Sequence, residues 1–77
     1  MKTITVYTMN NCAYCDAAKA LLTSLTLSYK EINITNDDQA RRDLVLRTGH
    51  RTMPQIFIDD QFVGGYTELK EVLSNKS

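Results

Sequence analysis

The 77-residue sequence predicts a single α/β domain, a four-stranded mixed β-sheet flanked by three helices in the order βαβαββα. Three observations carry this expectation. Polar and apolar residues alternate near the start of the chain, which is the period of a strand. From Ala13 onward the apolar period lengthens to that of a helix, and strand-like and helix-like stretches then take turns to the end. Turn-forming Asn, Asp and Gly residues separate these stretches.

Thr3-Ile4-Thr5-Val6-Tyr7-Thr8 alternates and is rich in β-branched residues, so it reads as the first strand, ending at Asn10-Asn11. Ala18, Leu21, Leu22 and Leu25 then fall at i, i+3, i+4 and i+7, one face of an amphipathic helix for which Asn11 is the expected cap. Tyr29, Ile32 and Ile34 mark a second strand. Asn36, with Gln39 three residues later, has the spacing of a capping box. It predicts a second helix that turns Ala40, Leu44 and Val45 inward and stops near Gly49.

Gln55-Ile56-Phe57-Ile58 and Phe62-Val63 read as two further strands joined by a short connection at Asp59-Asp60-Gln61. Gly64-Gly65 breaks the pattern, and Thr67 is the expected cap of a terminal helix with Leu69, Val72 and Leu73 on one side. A strand–helix–strand unit implies parallel pairing through a right-handed crossover, to which the later hairpin adds antiparallel strands. Residues 1–77 are expected to form one domain, since so short a chain cannot bury two independent cores.

Composition narrows the function. With 43% hydrophobic and 23% charged residues the chain is an ordinary globular protein. Nine basic against nine acidic side chains leave no net charge, which disfavours the broad positive surface that nucleic acid requires. No apolar run approaches the roughly 20 residues of a membrane helix, and no signal-peptide segment opens the chain. A cytoplasmic protein is expected, with neither nucleic acid nor membrane as partner.

In that reducing setting Cys12 and Cys15 are poor candidates for a structural staple, because so short a loop restrains little of the unfolded chain. Their place between the first strand and the first helix suits chemistry instead. Unsatisfied N–H groups and the positive end of the helix dipole favour an anion there, and can bring a cysteine pKa from about 8.5 into the range of roughly 3.5 to 7.5. The spacing puts Cys15 within one turn of Cys12, in reach of a reducible disulfide. Half of a zinc site and an incidental pair are the competing readings. A structural zinc needs about four ligands, and His50 is the one histidine available beside these thiols.

Three motifs in order complete the picture. Val6-Tyr7-Thr8 leads to Cys12-Ala13-Tyr14-Cys15, followed by Arg51-Thr52-Met53-Pro54-Gln55-Ile56-Phe57-Ile58 and then Gly64-Gly65-Tyr66-Thr67-Glu68-Leu69. Over nearly its whole length the sequence resembles the glutaredoxins, a family of the thioredoxin fold.

The resemblance implies a glutathione-dependent enzyme that reduces protein disulfides and protein–glutathione mixed disulfides, with Cys12 as nucleophile and Cys15 as resolving thiol. It implies a cis bond between Met53 and Pro54, which residue frequencies alone would not suggest. The Met53 backbone could then pair with an extended ligand as a short strand would. Glutathione carries two carboxylates and one ammonium, so its site should offer cations or N–H groups at one end and an acceptor at the other. By the same resemblance Arg41 holds the glycine carboxylate, with Arg51 and Thr52 nearby, while Gly65, Tyr66 and Thr67 receive the γ-glutamyl end and Tyr14 lines the groove. Arg42 and Arg47 read as a solvated helix face.

The implied partners are glutathione and disulfide-bearing or glutathionylated proteins, ribonucleotide reductase among them, and the protein is expected to be a monomer without an obligatory metal. Two positions depart from the family pattern. Met9 stands where a Lys or Arg is usual, which removes a charge near Cys12. Ala13 stands where proline is commonest, restoring a backbone donor beside the sulfur. Some relatives without that proline hold a [2Fe–2S] cluster between two subunits with glutathione thiols, so Cys12 as a cluster ligand in a dimer is an alternative. An electron carrier recharged by thioredoxin reductase is the other.

Overall fold

The computed structural model describes residues 3–74, and the expected element order is present. Strands β1 (Ile4–Thr8) and β3 (Gln55–Ile58) form the centre of a four-stranded sheet, with β2 (Lys30–Asn33) and β4 (Gln61–Gly64) at its edges, in the order β2-β1-β3-β4. β1 runs parallel to β2 and antiparallel to β3, so that Val6 lies between Glu31 and Ile56. Helix α1 (Ala13–Ser24) makes the crossover from β1 to β2, α2 (Asp38–Thr48) leads into β3, and α3 (Tyr66–Ser74) follows β4.

Strand alternation divides the apolar residues between two faces. Ile4, Val6 and Ile56 are buried with Ala18 and Leu22 of α1 and Leu69 of α3. On the opposite face Phe57 is buried with Leu44 of α2 and with Ile34, which directly follows β2, and the Tyr7 ring meets it edge-on at 5.7 Å. Fully burying such a side chain stabilises the fold by about 1.5–3 kcal/mol, and covering both faces multiplies the number that can be buried.

Several expected boundaries move. Asn11 does not cap α1: it adopts φ 57 and turns the chain, and Cys12, extended at φ −120, is the cap. The cap of α2 is Asp37 rather than Asn36, its carboxylate accepting the Ala40 N–H at 3.0 Å. Gly49 at φ 77 ends that helix as expected. The hairpin has two residues, Asp59 (φ 52) and Asp60 (φ 65), whose left-handed backbone matches the twist of the strands; Gln61 already pairs with Ile58. Thr67 lies inside α3, which begins one residue earlier, and the Gly65 N–H donates to Glu68 Oε1 at 2.7 Å. Leu25 falls beyond the end of α1 and Val72 to one side of the Leu69–Leu73 stripe, so both are exposed.

One polar cluster joins α1 to the sheet. The buried Thr8 hydroxyl donates to Glu31 Oε2 at 2.7 Å, and Lys19 Nζ donates to the same oxygen at 3.1 Å. The Thr8 bond first, and then the Lys19 bond, hold the Glu31 carboxyl below its usual 4.5. The hydrogen bond to Glu31 in turn raises Lys19 above 10.5.

A lowered carboxyl value means that the Glu31 contribution to stability is fully present above pH 4.5 and is lost as the pH falls through the lower folded value. The Lys19 contribution is present below pH 10.5 and is lost as the pH rises through the raised value. Glu31→Gln should therefore lower the urea midpoint at neutral pH, and the gap to the parent should close below pH 4.5. Gly64 sits at φ 132, and a Cβ there would lie 2.7 Å from Glu68 Cγ. Gly64→Ala should cost about 1–3 kcal/mol in urea unfolding.

Candidate active site

Beyond β1 the chain turns over Asn10-Asn11 before entering α1, and that turn is gripped by the end of β2 and the segment after it. The Asn10 N–H donates to Thr35 Oγ1 at 2.8 Å, and Asn33 Nδ2 donates to Asn10 Oδ1 at 3.0 Å. Thr35 is fixed in turn, its hydroxyl donating to Asn33 Oδ1 at 2.7 Å. The outcome is a defined approach to Cys12.

Cys12 is half-buried at the helix start, whereas Cys15 is 1% exposed. The two are joined as a disulfide, with Cα atoms 5.2 Å apart. The Cys15 N–H donates to Cys12 Sγ at 3.1 Å, so the sulfur occupies the place of the oxygen that usually caps a helix. An N–H donor at the positive end of a helix favours negative charge on that atom once the disulfide is opened. Cys12 Sγ also lies 3.5 Å from the Met53 carbonyl oxygen, and the Met53–Pro54 bond is cis.

A recess of about 140 Å³ opens at this point. Tyr14, Thr52, Met53 and Pro54 form part of its wall, and Gly65, Tyr66 and Thr67 form another part. Tyr14 is 64% exposed, its ring 6.1 Å from that of Tyr66. Arg41 and Arg51, expected at the same site, line a different recess of about 330 Å³ on α2, together with Arg42, Val45 and Leu46. The two recesses adjoin along the chain, since Arg51 borders one and Thr52 the other.

Two residues of the first recess were not anticipated. Glu68 places a carboxylate there while it accepts the Gly65 N–H. Its spacing from Gly65, three residues, is that of the acidic member of a capping box and could have disclosed it. His50, considered as a metal ligand, contributes to the wall and packs its ring 5.2 Å from Phe62. Among the described residues no group of three or more His, Cys, Asp or Glu side chains is placed to hold a metal ion.

The loop that carries Met53 is anchored from beneath by Gln55, which is fully buried. Gln55 Nε2 donates to the His50 carbonyl at 2.7 Å, Gln55 Oε1 lies 2.9 Å from the Thr48 hydroxyl, and the His50 N–H donates to that hydroxyl at 3.1 Å. No sequence motif foretells this ring of bonds.

The sequence profile of the glutaredoxin family matches residues 4–63. Glutaredoxin 3 of Escherichia coli K12 is 42% identical over 69 residues, which cover 90% of this chain and 83% of that protein. Glutaredoxin 1 of Rickettsia conorii is 43% identical over 67 residues, covering 84% of this chain and 66% of the relative. Glutaredoxin 1 from Francisella tularensis, complexed with cacodylate, superposes with a TM-score of 0.83 at 31% identity, covering 96% of this chain and 94% of its own. A buckwheat glutaredoxin–glutathione complex superposes with a TM-score of 0.89 at 27% identity, covering 96% and 70%.

Gln55→Leu would strip the His50 carbonyl of its donor. It is expected to cost about 1–3 kcal/mol in urea unfolding and to speed hydrogen exchange at the His50 amide.

Proposed function

This chain belongs to the glutaredoxin family, and on that premise we propose what each part of its site does. It is a glutathione-dependent thiol–disulfide oxidoreductase whose working dithiol is Cys12 and Cys15. The observation that carries the assignment of roles is the Cys12 sulfur itself. It caps α1, accepts the Cys15 N–H and is half-buried, while Cys15 is buried.

Reduced Cys12, as thiolate, attacks one sulfur of a substrate disulfide, and the other sulfur leaves as thiolate and takes a proton from solvent. With a protein–glutathione mixed disulfide the attack falls on the glutathione sulfur. The Cys12–glutathione bond that forms is broken by a second glutathione thiolate, giving oxidised glutathione and free Cys12. With a protein disulfide, the Cys15 thiol loses its proton and attacks the mixed disulfide. The client leaves fully reduced and the Cys12–Cys15 bond remains, to be reopened by two glutathiones. The two-electron balance closes in each cycle.

The recess supplies a complementary acceptor and donor set for the tripeptide. The Tyr66 and Thr67 N–H groups, in the first turn of α3, receive the γ-glutamyl carboxylate, and the Glu68 carboxylate receives the ammonium. The Met53 backbone pairs with the cysteinyl unit, whose sulfur is thereby brought to Cys12. Tyr14 covers the exposed side, and Pro54 and Gly65 form the floor. Arg41 and Arg51 attract the glycine carboxylate from the adjoining recess. The reading extends to a cytoplasmic monomer, since one chain supplies every part of this site and glutathione is kept reduced in that compartment. Its clients are disulfide-bonded and glutathionylated proteins, a class to which ribonucleotide reductase belongs.

Cys12→Ser is expected to abolish turnover in an assay coupled to glutathione reductase. Cys15→Ser should retain activity on a glutathione mixed disulfide and lose activity on a protein disulfide. Equal loss in the two variants, measured on both substrates, would contradict the roles given to them.

A further inference from the structure

The arginines of this chain are unevenly placed. The protein has no net charge, yet four of its nine basic residues, Arg41, Arg42, Arg47 and Arg51, lie on α2 and the loop that follows. Arg47 turns its guanidinium onto the Phe57 ring, 4.8 Å from the centroid, and is thereby occupied on the sheet side. The other three border the larger recess, whose remaining wall is Val45 and Leu46. Among the described residues none of these three forms a salt bridge, and Arg42 has one neutral acceptor, Gln39 Oε1 at 3.2 Å. The carboxylate nearest in sequence, Asp43, accepts from Gln39 and opens onto a separate recess with Tyr7 and Arg47.

Leu46 at the centre of this patch is 85% exposed, the most exposed large apolar side chain described. An isolated exposed leucine would mean little. Here it is ringed by cations without counterions, at the border of the reactive site, because Arg51 and Thr52 are consecutive and each lines one of the two recesses. A client strand paired with the Met53 backbone would run off the groove past Thr52 onto this face. The patch offers such a strand an apolar contact between positive charges.

We propose that the α2 face formed by Arg42, Val45, Leu46 and the neighbouring Arg51 is a docking surface for client proteins, and that it selects acidic segments carrying an aliphatic side chain beside the target cysteine. This inference deepens the reading of the dithiol as a reductase of protein disulfides. The cations speed and orient encounter with an acidic client, an effect screened by salt, while burial of Leu46 slows its release. Small disulfides reach Cys12 without touching the face.

The test uses the full chain, reduced by glutathione and glutathione reductase, on two short peptide disulfides whose cysteines are flanked on both sides by Glu and Leu or by Lys and Ser. Bis(2-hydroxyethyl) disulfide serves as the small substrate. The acidic peptide should have a KM about tenfold below that of the basic one, and the difference should shrink with added salt. Arg42→Glu and Leu46→Ser should each raise the KM for the acidic peptide about tenfold and leave turnover of the small disulfide unchanged.

A parallel measurement needs no turnover: fluorescence anisotropy of a labelled acidic peptide with serine in place of cysteine. Its binding should weaken by a similar factor in both variants. Equal KM values for the two peptides, or variants that slow every substrate alike, would overturn the docking surface. Binding that responds to Arg42→Glu in a protein inactive on all three disulfides would instead keep the surface and overturn the enzymatic reading.

Discussion

Helix α1 must find acceptors for the backbone donors of its first turn, and one of those acceptors is a sulfur atom. The Cys15 N–H points at Cys12 Sγ, so the atom that stabilises the helix start is also the atom that reacts. The asymmetry of the dithiol follows from this geometry. A capping residue lies at the rim of its helix, in the extended conformation seen at Cys12, while the third residue inside the first turn faces inward. Cys15 is accordingly buried among core side chains and cannot meet a bulky substrate first.

The sheet decides what stands opposite that sulfur. Because β1 and β3 are antiparallel, with Tyr7 opposite Gln55, the end of β1 and the start of β3 lie at one end of the sheet. The Cys12 turn follows the former, and Met53-Pro54 precedes the latter. β4 returns antiparallel to β3, with Gly64 opposite Ile56, which brings the start of α3 to the same end. Three chain segments distant in sequence thus meet at one end of the sheet, with the Cys12 sulfur 3.5 Å from the Met53 carbonyl and the start of α3 beside Met53-Pro54 in the recess. Side chains near the opposite end, such as those of the Asp59-Asp60 turn, take no part in it.

The elements were largely readable because each announces itself over four or more residues: alternation in β1, the helical period of Ala18, Leu21 and Leu22, and the Gly49 stop all appear as the residues demand. Caps were read less well, because they turn on a single side chain. Asn11 and Asn36 are good capping residues by type, but the backbone places Cys12 and Asp37 at those positions. Seven of the nine residues expected to hold glutathione gather around one recess, since the family motifs that carry them are continuous. Arg41 and Arg51 diverge from that group because the side on which Arg41 emerges depends on how α2 packs, and Arg51 follows from the course of the loop after it. Glu68 had a signal in its three-residue spacing from Gly65, whereas the bond from Gln55 to the His50 carbonyl remained hidden, because a backbone group carries no sequence signature.

The turn before Cys12 is held by Asn33 and Thr35, residues more than twenty positions away, and not by its own neighbours. It can take its native form only after α1 has folded back and β2 has come alongside β1. Until then Cys12 has no fixed helix end beside it to favour its thiolate. Reactivity and topology therefore arrive in the same step of folding. A molecule that has lost its β1–β2 pairing also loses the bonds from Asn33 and Thr35 that fix the approach to this sulfur.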